Sequence, residues 1–307
     1  MRSHRLGLVV HPVKDVSGPA AVVARWVAEA GGEVVGLDSA RLPAGVPAVS
    51  EEEFLATVRV VISLGGDGTM LGALRLCAGR GIPVIGVNLG HLGFLVELEP
   101  QELPAALDRL AALDFTVEPH LCLRGRAGDP GGTREVVAFN DLALARQPGR
   151  GTVTARLSIA GQRIGYYRCD AVVLATPTGS TAYSYAAGGP VVSPGTDSLV
   201  LTPVAPMSGI ARPIVLGVDE PVTLELMEGS GTPVLEVDGI ASGEVPPGHR
   251  LTIQAQRDAG QVIRFDPTGH GRRSRMKLSL LDLPLLPEEM QELVPDELRR
   301  PEPPRRH

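Results

Sequence analysis

Over roughly the first 115 positions, apolar residues fall in short β-branched runs separated by stretches of helical period. Leu6 to Val10 reads as a strand. A helix opens near Pro19, behind Ser17 and Gly18, sets Val22, Val23, Trp26, Val27 and Ala30 on one face, and stops at Gly31-Gly32. Glu33 to Leu37, Arg59 to Leu64 and Pro83 to Val87 read as further strands, the last two each followed by a helix. Leu103, Leu107 and Leu110 mark one more amphipathic helix. This alternation predicts a parallel sheet covered by helices.

From about residue 116 the pattern changes to closely spaced strands broken by Gly, Pro and Asp: 117–126, 134–146, 152–160, 163–176, 199–204, 213–217, 221–227, 233–237 and 250–256. The expected organisation is an α/β domain over 1–116, a β-rich domain over 117–260, and a return of 261–283 to the first domain. The stretch 284–307 carries six prolines, six acids and four arginines, a composition that predicts a solvated, weakly ordered tail.

Composition narrows the chemistry. Glycine (37) and proline (27) are abundant, yet 43% of the residues are apolar, so the excess belongs inside an ordered fold. Phe, Trp and Tyr total only ten, which leaves aliphatic packing to dominate the core. A net charge of −6 excludes a binder that relies on a basic surface to neutralise nucleic acid, and any phosphate ligand must find local donors. Cys77, Cys122 and Cys169 lie far apart without a CxxC pair, so neither a zinc site nor a disulfide framework is expected. The apolar run LGLVV is shorter than a signal-peptide core, and nowhere do 18 apolar residues run together. A cytoplasmic protein without membrane partners is expected.

Four segments carry candidate chemistry. In VVISLGGDGTML (60–71) an apolar strand runs into three glycines around Asp67 and then a helix. Glycines at the carboxyl end of a strand let a phosphate approach the backbone, so Asp67 either faces a ligand or caps the helix. NLGHLGFL (88–95) keeps a second strand end open around His91. FND (139–141) sets an amide and a carboxylate within an apolar strand pattern; it is a polar site suited to a sugar diol, a bulge, or a turn between strands. RCDAVVLATPTGSTAYSYAAGGPVVSP (168–194) gathers hydroxyls and free N–H groups where a helix would begin, an arrangement that binds phosphate or ribose. Arg168 and Asp170 add charges at its start.

In this order, and with TPVAPMSGIARPIVL (202–216), the four segments resemble the NAD kinase family over about residues 5–280. GGDG alone is shared with diacylglycerol and sphingosine kinases; the TPTGSTAYS block and the ordered set are more specific. The resemblance implies a two-domain fold, an α/β domain with a parallel sheet plus a β-rich domain, assembled as a homodimer or homotetramer. It implies phosphorylation of the 2′-hydroxyl of the adenosine ribose of NAD, with ATP or polyphosphate as donor and a divalent cation, Mg being the natural choice. Carried onto this chain, Asp67 is the catalytic acid, acting on the hydroxyl proton or on the metal, with Gly68 beside it. Asn140 and Asp141 hold an NAD ribose, Asp170 and Arg168 line the nicotinamide side, and Thr181, Ala182, Tyr183, Ser184, Tyr185, Ala186 and Ala205 wrap the dinucleotide. The chain departs from the family at Asp141, where glutamate is usual, at Gly72, where many relatives are basic, and at Ile240, where glutamine is common; Arg75 or Arg150 are candidates to replace the missing base. The rival readings are a lipid kinase, which would want an apolar pocket, and an NAD(P) sensor without turnover, which would not need Asp67.

Overall fold

The computed structural model describes residues 5–37, 42–90, 93–129 and 132–272. His91 and the segment 273–307, with its expected tail, lie outside the described residues. The chain separates into two units, one of residues up to 119 together with those from 260 onward, the other of residues 120–259.

The first unit opens with β1 (Arg5–Val10), α1 (Ser17–Glu29), β2 (Glu33–Leu37), β3 (Ala48–Val49), α2 (Glu51–Thr57), β4 (Val60–Gly65), α3 (Asp67–Cys77), β5 (Val84–Asn88) and α4 (Leu103–Ala111). All strand pairs here are parallel, in the order β3-β2-β1-β4-β5. The core packs aliphatic strand residues, Leu8, Ile62, Leu64 and Val87, against Val23 and Val27 of α1 and Leu103 and Leu107 of α4. The periodicity reading omits β3 and α2, although α2 carries a local signal: the Ser50 side chain accepts the Glu53 N–H at 3.2 Å, and Glu51, Glu52 and Glu53 occupy the first turn.

The second unit holds two sheets built from β6 (Thr116–Asp129), which enters it from the first unit, then β7 (Gly132–Ala138), β8 (Asp141–Ala145), β9 (Val153–Ile159), β10 (Gln162–Cys169) and β11 (Ala171–Ala175). A short helix, α5 (Tyr183–Ala186), follows. The remaining strands are β12 (Ser198–Val204), β13 (Ser208–Gly209), β14 (Ile214–Gly217), β15 (Val222–Leu226), β16 (Val234–Val237), β17 (Ile240–Glu244) and β18 (Arg250–Arg264). One sheet runs β13-β10-β9-β15-β18 with β6 and β7 attached; the other runs β14-β12-β11-β8-β16-β17. Leu142, Leu144, Val172, Leu174 and Leu201 of the second sheet pack against Leu157, Tyr167, Leu224 and Leu251 of the first. Two long strands read from sequence, 134–146 and 163–176, are each two strands in different sheets, divided at Phe139-Asn140 and at Asp170. Both halves of each run are apolar, so hydrophobic pattern alone does not reveal the switch.

Back in the first unit, the end of β18 lies parallel to β5, with Val262 opposite Val84. Arg264, 1% exposed, donates from Nε to Glu118 at 2.5 Å and from Nη1 to the Leu95 carbonyl at 2.6 Å. Buried Glu97 accepts the N–H groups of Phe265 and Asp266 at 3.2 and 2.7 Å. These contacts anchor residues 95–97, which follow β5. All three cysteines are buried thiols, and burial pushes Cys77 and Cys169 up to about 12 and Cys122 to about 11. Among the described residues no helix is long and apolar enough to cross a membrane.

Removing one member of a buried charge network strands its partners at a cost of about 3–5 kcal/mol. Arg264→Met is therefore expected to lose stability on that scale in urea unfolding, and a loss under ~1 kcal/mol would show that Arg264 is not the anchor of this segment.

Candidate functional site

In the order β3-β2-β1-β4-β5 the progress of the chain across the sheet reverses between β1 and β4, and ligands of open α/β sheets bind outside the carboxyl ends of the strands at such a point. The segment leaving β1 stays beside the end of β4 here, His11 N–H donating to the Leu64 carbonyl at 2.9 Å. Asp67 follows β4 with Gly66 between them. It is the first residue of α3, with Gly66 at the N-cap position, so it does not cap its own helix. Its carboxylate instead accepts three consecutive backbone N–H groups, from Phe94 at 2.6 Å, Leu95 at 3.0 Å and Val96 at 3.3 Å. Gly93 permits the approach: a Cβ there would stand 2.1 Å from Asp67 Oδ1. The two glycine-rich segments are thus one assembly, joined through Asp67, which remains partly exposed beside exposed Gly68.

Sequence reading passed over Lys14. It stands four residues beyond β1, exposed, with Nζ donating to the Leu89 carbonyl at 2.8 Å. Only its position after a strand at the reversal of the sheet marks it, and that position is invisible until strand order is known. Arg75 lies in the last turn of α3. Arg150, in the second unit, is within 4.0 Å of Glu244.

In the second unit the FND segment is a turn: Phe139 and Asn140 connect β7 to β8 across the two sheets. Thr176 N–H donates to the Asn140 carbonyl at 2.9 Å and Thr176 Oγ1 to the Phe139 carbonyl at 2.7 Å. A Cβ on Gly179 would stand 2.0 Å from the Asn140 carbonyl oxygen, so only glycine lets the TPTG turn close on Asn140. From the other direction Asp238 accepts the N–H groups of Phe139, Asn140 and Asp141.

Asp141 is buried, with Oδ1 lacking a partner among the described residues. Burial, then the charges of Asp238 and Glu236, push its carboxyl up to about 7, against the pull of the Tyr183 backbone N–H. Thr181 closes the short 3-10 turn Thr178–Thr181, Ala182 links it to α5, and Tyr183, Ser184, Tyr185 and Ala186 form α5. Ser184 Oγ is 2.8 Å from Thr202 Oγ1, which fixes α5 on β12. Asp170 sits at the other end of β11, where it pairs at 2.6 Å with Arg146. Arg168 is exposed on β10, while its neighbours Tyr167 and Cys169 point into the core. Ala205, exposed, follows β12 with a positive φ of 45°, next to Val204, whose carbonyl takes the Asp170 N–H at 2.9 Å.

The second sheet therefore presents two polar ends, Asn140-Asp141 with the TPTG turn and Asp170-Arg146 with Ala205, about 17 Å apart by strand rise. On its strands the core-facing positions alternate with Ala143, Ala145, Ala171, Val173 and Ala175, of which all but Ala145 are buried, and Glu236 shares that face opposite Ala143. Burial raises the Tyr183 hydroxyl first, and then Glu236, Asp141 and Asp170 do so, which puts the ring within electrostatic reach of both ends. Glu236, Asp238 and Arg146 stand beside these candidate residues and went unread in the sequence, since each meets a partner distant in sequence.

Residues 46–115 match the ATP-NAD kinase N-terminal domain and residues 139–265 the ATP-NAD kinase C-terminal domain. NAD kinase 1 of Streptomyces avermitilis is 33% identical over 315 residues, covering 91% of this chain and 88% of that protein. The chain belongs to the NAD kinase family. In fold it is similar to yeast NADH kinase complexed with NADH, with a TM-score of 0.81, 21% identity, and coverage of 92% of this chain and 89% of that one. It is also similar to an NAD kinase from Archaeoglobus fulgidus in complex with ATP, with a TM-score of 0.67, 24% identity, and coverage of 88% and 98%. The expected combination of a parallel α/β domain with a β-rich domain is the fold found.

The raised Asp141 carboxyl fixes a pH dependence. The folded chain holds this proton more tightly than the unfolded one, so Asp141 costs no stability below about pH 4 and a growing amount as pH rises from there to about 7. Asp141→Asn is expected to gain stability over the wild type at pH 8, at most ~4 kcal/mol, and to lose that advantage by pH 4. Unfolding curves across this range check it; a difference independent of pH would remove the shift.

Proposed function

We propose that the chain transfers the terminal phosphoryl group of ATP, or of polyphosphate, to the 2′-hydroxyl of the adenosine ribose of NAD, giving NADP. The observation that carries this reading is the Asp67 carboxylate, held by three amides at the carboxyl end of β4 where the sheet order reverses. Membership in the NAD kinase family supports the substrate class. Asn140 and Asp141 take the ribose hydroxyls, the orphan Asp141 Oδ1 being a natural acceptor for one of them. Asp170, Arg168 and Ala205 serve the nicotinamide half, and Thr181 to Ala186 the middle of the dinucleotide, an extended ligand suited to two polar ends about 17 Å apart.

The ribose oxygen attacks the terminal phosphorus, the bond to the leaving phosphate breaks, and the hydroxyl proton passes to Asp67. Most of the acceleration comes from positioning and charge neutralisation. Among the described residues no three His, Cys, Asp or Glu side chains gather to hold a metal. On the side of this chain, Asp67 would be the residue to hold a magnesium ion. When bound, the cation neutralises charge on the phosphates. Exposed Gly68, at the start of α3, and exposed Lys14 serve the donor. Exposed Ile164, Tyr166 and Met207 on and beside β10 support assembly into a homodimer or homotetramer; the cytoplasm is the proposed location.

The purified chain with NAD and Mg-ATP or polyphosphate is expected to form NADP; no NADP from either donor contradicts the reading. Asp67→Asn is expected to lower kcat by about 10²–10⁴ while NAD affinity stays within a few-fold. Near-wild-type turnover in that variant would rule out Asp67 as the proton acceptor.

A further inference from the structure

Asp238 and Gly239 are the two residues that connect β16 to β17, with Val237 opposite Ile240. Both have positive φ, 48° and 77°, as a type I′ hairpin turn requires, and Asp-Gly is a favoured pair for it. A surface hairpin needs nothing more from its aspartate. Here the carboxylate reaches away from the hairpin to accept Phe139 N–H at 3.2 Å, Asn140 N–H at 2.7 Å and Asp141 N–H at 3.2 Å, while Asp238 N–H donates to the Asp141 carbonyl at 2.9 Å. Phe139 and Asn140 belong to no strand, because the chain changes sheets there, so the carboxylate supplies the acceptors that a ladder would have given. Hydrogen bonds to a charged acceptor are about twice as strong as neutral ones, and three of them on consecutive amides define the path of the turn.

We propose that Asp238 is a positioning residue for the dinucleotide: its carboxylate holds the 139–141 turn so that the Asn140 and Asp141 side chains stand preset for the ribose. The proposal rests on the reading that these two side chains hold that ribose. Asp238 itself touches no substrate. Its effect passes through the turn and, secondarily, through its charge on Asp141, which is also faced by Glu236 of β16 and the Tyr183 N–H of α5.

Asp238→Asn separates this role from hairpin stability, since Asn-Gly is equally favoured in a type I′ turn, yet the uncharged amide offers one acceptor oxygen and presents an NH2 group to N–H donors. In the full chain the variant is expected to raise KM for NAD at least about tenfold, to leave KM for ATP within twofold, and to melt within a few degrees of the wild type. The Asp141 ionisation in the pH profile of kcat/KM for NAD is expected to move to lower pH. A variant that merely loosened the fold would move neither the profile nor the two KM values selectively. Asn140→Ala, measured beside it, distinguishes the two possible failures. If Asn140→Ala leaves KM for NAD unchanged, the ribose reading falls and takes the proposal with it. If Asn140→Ala raises KM for NAD while Asp238→Asn keeps wild-type KM and pH profile, the positioning role alone is overturned.

Discussion

A carboxylate that accepts three consecutive backbone N–H groups is the interaction on which both units depend. Asp67 does this for Phe94 to Val96, and Asp238 does it for Phe139 to Asp141. Phe94 to Val96, Phe139 and Asn140 lie outside regular secondary structure, where no helix or ladder supplies acceptors, and Asp141 opens β8. A polar backbone left unpaired in a partly buried place costs roughly 1–3 kcal/mol per group, so an aspartate that pairs three at once converts an unstable loop into a defined surface. The arrangement needs close approach, and Gly93 and Gly179 provide it beside the two held segments.

This economy explains how an acidic chain can be built for phosphorylated ligands. With a net charge of −6, it has no basic surface to offer. Its site segments are instead shaped by backbone amides paired internally, with carboxylates at 94–96 and 139–141 and with backbone and Thr176 Oγ1 around the TPTG turn. Lys14, four residues beyond β1, and Arg146 beside Asp170 are local cationic side chains. The anchoring of residues 95–97 by Arg264 and by the 265–266 backbone gives the Asp67 assembly a second support from the end of the chain.

Much of this was legible in the residues. Parallel α/β texture followed by dense strands predicted the fold class, because both periods are local properties. Asp67 stood out because glycines at a strand end are rare without a reason. Other features depended on partners far along the chain. The Asp67 carboxylate meets amides 27 to 29 positions away, and Asp238 meets amides 97 to 99 positions away. The sheet switches at Phe139-Asn140 and Asp170 were hidden because apolar residues continue on both sides. By contrast, α2 was readable from Ser50 and Glu53, a capping signal that periodicity alone passes over. The Asp-Gly hairpin was equally local, and only the reach of its carboxylate was not.

The most direct test of the account is residue-resolved amide hydrogen exchange on the unliganded full chain. Phe94, Leu95 and Val96 in one unit, and Phe139, Asn140 and Asp141 in the other, are expected to exchange as slowly as the flanking strands. Exchange of these six amides at the rate of free loops, with the strands around them protected, would contradict the claim that carboxylates hold the two segments.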